Sequence, residues 1–185
     1  MRKITIYIVI FFFLFLTPQL ASVFCDENNS NEKWDQALEF IPGKASFFGI
    51  WINPDKWELL EFNTLDCSNV HRFMSKQGGI LGTLSHSFKS FSYDKFKEQI
   101  LASDESKSEW EIISFEEIMV NERSMRLLQV NTIYKDDSKP SIANLILIHT
   151  DGKKTVSLSA ISSLENFPNV KDEMLEFLNG LTIID

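Results

Sequence analysis

Residues of the kind that build metal sites and disulfide frameworks are scarce here: 185 positions hold 2 cysteines and 3 histidines. Cys25 and Cys67 allow at most one bridge, so the chain is no disulfide scaffold. Glycine is also sparse, with 7 residues. None takes the Gly-x-Gly-x-x-Gly or P-loop spacing that lays backbone N–H groups against a phosphate. A Gly-x-Ser-x-Gly elbow for a serine nucleophile is missing too. Basic charge is short, with 18 Lys and Arg against 26 Asp and Glu. Phosphate backbones repel such a chain, which excludes general nucleic-acid binding; anionic membranes are disfavoured for the same reason.

The chain also lacks an apolar run of the roughly 20 residues that a membrane span needs. Its longest, Ile4 to Leu16, follows Arg2 and Lys3 and runs into a polar, helix-breaking stretch from Thr17-Pro18. A basic start, a short apolar segment and a polar end are the parts of a secretory signal. Residues 1–25 are therefore read as that signal, cut after Ser22 or after Cys25, with an uncleaved anchor as the alternative because apolar character resumes weakly through Leu20 to Phe24. The first cut leaves Cys25 able to pair with Cys67; the second removes it. In a third reading Cys25 is a lipidated first residue, against which Phe24 stands where a small residue is normal. The expectation is a periplasmic or secreted monomer with no membrane span after cleavage. Losing Arg2 and Lys3 leaves it with an excess of about ten negative charges.

Aromatic residues are plentiful. Sixteen Phe and 4 Trp suffice for a core in one domain. Residues 26–45 read as a polar leader: DENNSNEK has no apolar periodicity, Trp34, Leu38, Phe40 and Ile41 could dock it, and Pro42-Gly43 ends it. Residues 46–185 read as the domain. Phe47 to Ile52 is a strand that stops at the turn Asn53-Pro54-Asp55-Lys56, and Trp57 to Phe62 is a second. Val70 to Phe88 is a hairpin turning at Gly78-Gly79. Ser92 caps a helix with Tyr93, Phe96, Ile100 and Leu101 on one face. Four strands follow at Glu109–Val120, Arg123–Tyr134, Ser141–Thr150 and Lys153–Ile161, with Asp151-Gly152 as a two-residue turn. Asn169 caps a last helix whose stripe is Val170, Met174, Phe177, Leu178 and Leu181, with Gly180 near its end. Strands and helices do not alternate, which predicts α+β: an antiparallel sheet packed with two main helices.

Three phrases carry a family likeness. They are Phe48-Gly49-Ile50-Trp51-Ile52-Asn53-Pro54-Asp55-Lys56-Trp57, the turn Val120-Asn121-Glu122, and Phe177-Leu178-Asn179-Gly180-Leu181-Thr182-Ile183. Over about residues 46–184 the chain resembles the PsbP-like fold family. That family includes the photosystem II extrinsic subunit P, a yeast Ran-binding nuclear import factor and periplasmic proteins of the DcrB type. The resemblance implies an α/β/α sandwich and members that bind or stabilise partners without a shared catalytic apparatus. It departs from the family where Glu122 takes the place of the usual glycine.

If Gly78-Gly79 are the two turn residues, Gln77 faces Ile80 and His71 lies opposite His86. That pair could share Zn²⁺ or Cu²⁺, with Asp66 or Cys67 as further ligands, although metal sites normally use three or four. With Phe73 and Leu84 on the same face, edge-of-core histidines are the plainer reading. A triad assembles only on paper, from Ser85 or Cys67 with a histidine and an aspartate. Glu116-Glu117 and Glu58/Glu61 are the solvated acids that strand alternation predicts. Phe48, Trp51, Trp57, Phe88 and Phe91 are core candidates, some of which could instead form a partner or ligand patch, and Phe47 belongs to the same aromatic group. The functional expectation is an exported, non-enzymatic binding or accessory protein of unknown partner. The alternatives are a small-ligand or metal carrier and a secreted effector that binds host proteins.

Overall fold

The computed structural model describes residues 38–60, 70–101, 108–135 and 139–184. Residues 1–25, read above as an export signal, together with Trp34, Asp66, Cys67, Glu61 and Phe62, lie outside them.

Among the described residues ten strands and two helices follow one another as β1 (Glu39–Pro42), β2 (Phe48–Ile52), β3 (Trp57–Leu60), β4 (Val70–Ser75), β5 (Leu81–Ser87), α1 (Tyr93–Leu101), β6 (Ser108–Val120), β7 (Arg123–Tyr134), β8 (Ile142–Thr150), β9 (Thr155–Ser163), α2 (Phe167–Asn179) and β10 (Leu181–Ile183). Seven strands form an antiparallel sheet in the order β3-β4-β5-β9-β8-β7-β6, and three form a small one in the order β1-β2-β10. The expected α+β architecture with two main helices is the one found.

Both faces of the large sheet carry packed side chains. On one, Trp57 stacks on Phe177 of α2 with ring centroids 4.0 Å apart, and Phe73 meets the same ring at 5.4 Å. Gly82 lies beneath it: a Cβ there would come within 2.5 Å of Phe177 Cζ. Ladder register carries this α2 face across Leu84, Leu158, Leu147 and Leu127, all at most 2% exposed. The small sheet packs on it too, since Phe48 of β2 lies 5.4 Å from the His86 ring. On the opposite face Tyr93 of α1 stacks on Phe115 of β6 at 4.0 Å. Helix α1 starts where expected, with the Lys95 N–H donating to Ser92 Oγ at 3.4 Å; the side chains of Ile100 and Leu101 lie outside the described set. Among the described residues no helix is long and apolar enough to cross a membrane.

Several local expectations need correction. The expected docking of the leader by Phe40 and Ile41 takes the form of strand β1, which pairs with β2 from Glu39↔Ile52 to Pro42↔Gly49. Helix α2 begins at Phe167, with Asn166 before it and Pro168 in its first turn, so Asn169 lies inside the helix rather than capping it. Proline suits the first turn because its missing N–H has no partner there anyway. Leu181 leaves the helical stripe and opens β10, pairing with Ile50. The β8–β9 connection is a four-residue loop, Asp151 to Lys154, between Thr150 and Thr155. Asp151 Oδ1 accepts the N–H groups of Lys153 and Lys154 at 2.8 and 2.7 Å, which widens the turn and holds the Asp151 carboxyl below its ordinary pKa.

Candidate functional site

The β4–β5 turn decides the fate of the histidine pair. Gly78 and Gly79 both take left-handed φ, at 80° and 84°, as expected. The loop nevertheless spans four residues, because the Ser75 N–H already bonds Ile80 O at 3.1 Å. His71 therefore lies opposite Leu84, and His86 pairs across to Val156 on β9. A slip of two residues keeps both imidazoles on the α2 face but removes the direct opposition. His71 Nε2 donates to Pro42 O at 3.0 Å, tying β4 to the end of β1. Burial, followed by the charge of Lys44, lowers the His71 pKa against a smaller raising effect of that hydrogen bond. Among the described residues no group of three or more His, Cys, Asp or Glu is placed to hold a metal ion.

Strand alternation separates the paper triad as well. Ser85 pairs with Ser157 on the α1 face, where the two hydroxyls lie 3.1 Å apart. His71, His86 and His149 all fall on the other face by register. A sheet therefore stands between this hydroxyl and every imidazole of the chain. Glu116 and Glu117 likewise point to opposite faces of β6, as neighbours on a strand must.

The five aromatic candidates divide clearly. Phe48, 1% exposed, and Trp57, 4% exposed, belong to the core and not to a surface patch. Phe91 is half-buried and packs towards Phe96 and Phe115. Trp51 is 44% exposed on the outer face of the small sheet, 4.9 Å from Phe40. Phe88, at the end of β5, is 68% exposed.

Around Phe88 the structure gathers residues from three connections. The His86 ring stands edge-on to Phe88 at 5.3 Å and edge-on to Phe47 at 6.0 Å, with Phe48 beneath. Lys154 Nζ lies 4.4 Å above the Phe47 ring, a cation–π contact. The Asp151 turn positions that lysine, and Thr155 Oγ1 donates to Lys89 O at 2.7 Å, which pins the segment after Phe88 to β9. The result is an aromatic and cationic end on a molecule of net negative charge. Sequence reading named both Phe88 and Phe47 but missed Lys154, and it could not join the three, because Phe47 and Lys154 sit 41 and 66 positions from Phe88 and only the ladder registers bring them together.

No family model matches the chain, and no curated protein matches it in sequence. Solved structures do match. The cyanobacterial PsbP (CyanoP) of Synechocystis sp. PCC 6803 aligns with a TM-score of 0.57 at 10% identity, over 80% of this chain and 92% of that one. The Ran-binding protein Mog1p of Saccharomyces cerevisiae aligns at 0.53 and 9% identity, over 81% and 97%. Identities this low speak to architecture alone. By its strand order and these matches, the chain has the PsbP-like fold.

Proposed function

We propose that this protein is an exported, non-enzymatic binding or accessory protein that docks a protein partner through the aromatic end around Phe88. The observation that carries the reading is the 68% exposure of Phe88 on a fixed platform of His86, Phe47 and Lys154. Large exposed aromatics held by rigid neighbours are what binding hot spots are made of, since little side-chain entropy remains to be lost. The fold is compatible with such a role, because the yeast neighbour is by name a Ran-binding protein. Export to the periplasm or the cell exterior is part of the proposal and rests on the pattern of residues 1–25.

The test installs a photo-crosslinking residue at position 88 of the full chain, with position 165 on the opposite side of the aromatic end as control. A discrete crosslinked partner at 88, absent at 165 and lost on Phe47→Ala, supports the reading. Turnover of broad hydrolase substrates, abolished by changing Ser85, His86 or Cys67, would overturn it. Intact mass of the exported protein tests the localisation: it should begin at Val23 or Asp26.

A further inference from the structure

Among the described residues strand β6 is the longest, at 13 residues, and it pairs with β7 alone. Among the described residues no strand pairs with the N–H and C=O groups of its other edge. Such edges template the addition of another strand unless something blunts them. The first five residues, Ser108 to Ile112, run in unbroken register with Tyr134 to Val130. Beyond them Ile113 is an extra residue that shifts the register, so straight pairing ends there.

The two faces of this stretch differ in chemistry. Glu109 and Glu111 are exposed on the α2 face. Trp110 and Ile112 are half-buried on the α1 face and pack against the core from the rim, with the indole N–H donating to Ser108 Oγ at 3.1 Å. An added strand would complete both faces if it carried basic side chains opposite the glutamates and apolar ones opposite Trp110 and Ile112. A second copy of β6 would instead bring glutamates against glutamates, which is destabilising across a ladder.

We infer that the Ser108–Ile112 edge of β6 accepts an extended segment of a partner protein in which Lys or Arg alternates with branched apolar residues. Backbone hydrogen bonds supply the attachment, and the two carboxylates select the sign of charge and the register. This surface is separate from the Phe88 end, and either can fail without the other.

The experiment uses the full chain and a synthetic peptide centred on Lys-Val-Lys-Val-Lys. Three comparison peptides are an acidic Glu-Val-Glu-Val-Glu version, a block version with the lysines contiguous, and a version N-methylated at alternate residues. The expected result is binding of the alternating basic peptide, with slowed hydrogen exchange at the β6 amides. N-methylation in the register facing β6 removes the ladder bonds at unchanged charge and should weaken binding by about tenfold or more. The double change Glu109→Lys and Glu111→Lys should transfer preference to the acidic peptide. No binding at millimolar peptide would overturn the inference. So would block and N-methylated peptides that bind within twofold of the alternating one, since that outcome means charge attraction without strand pairing.

Discussion

The side-chain amide of Asn121 joins the tip of the β6–β7 hairpin to the chain's last strand, with Nδ2 donating to Leu181 O at 2.8 Å and to Asn179 O at 3.1 Å. One side chain thereby satisfies carbonyls at the point where α2 hands over to β10. Asn121→Ala should destabilise the protein by about 1–3 kcal/mol, because these acceptors lose their donor and alanine tolerates the φ of 47° less well. Denaturant unfolding measures it, and a loss below a few tenths of a kcal/mol would contradict the role given to this amide.

Glu122, the next residue, has φ 63° and is exposed. Two consecutive left-handed residues are what a two-residue hairpin turn requires, and glycine supplies the second at least cost. Glu122→Gly should therefore raise stability by up to about 1 kcal/mol. A lower melting temperature in that variant would mean the glutamate holds something the backbone geometry does not reveal.

Gly82 makes the opposite case. Its missing side chain is the space that Phe177 occupies between β4, β5 and α2. Gly82→Ala should cost about 1–3 kcal/mol by displacing that ring. Loss of the Trp57–Phe177 stack would register in near-ultraviolet circular dichroism. An alanine variant as stable as the parent, with that signal unchanged, would show that the ring yields freely.

Acid should loosen the junction between the two sheets. His71 takes up a proton less readily in the folded chain than its ordinary value of 6.5, mainly because it is partly buried and secondly because Lys44 is near. The unfolded chain therefore binds more protons once pH falls below about 6.5, so stability is full above that value and declines as pH drops towards the folded one. His71→Gln keeps a donor for the Pro42 carbonyl and removes the titration. The difference in melting temperature between pH 7.5 and 5.5 should be smaller in the variant than in the parent; equal differences would exclude His71 as the cause.

How much of this was readable in advance depended on length and on local chemistry. Strands β6 to β9 run for 9 to 13 residues rich in branched and apolar side chains, and their cores showed through with boundaries shifted by at most a residue or two. The Ser92 cap and the Gly78-Gly79 turn announced themselves by residue type. Strands β1 and β10, with 4 and 3 residues, are too short for a period to register. Leu181 follows Leu178 at helical spacing, and only pairing with β2 shows that it belongs to a strand. The histidine register failed because two glycines permit a tight turn without requiring one. At the aromatic end, composition identified Phe88 but could not say that Phe48 points inward while Phe47 turns to Lys154.

The small sheet places β2 between the first strand described and the last. Gly180 seals this seam: a Cβ there would lie 2.1 Å from Trp51 O, and its own carbonyl accepts the Trp51 N–H at 2.9 Å. A chain growing from its N-terminus must reach Leu181 before β2 can gain its second neighbour. The seam therefore closes only after α2 has been made, and a chain stopped at Asn179 should remain open to proteases along β2 while one that includes β10 resists them. Residues 181–183 act as a clasp on β2.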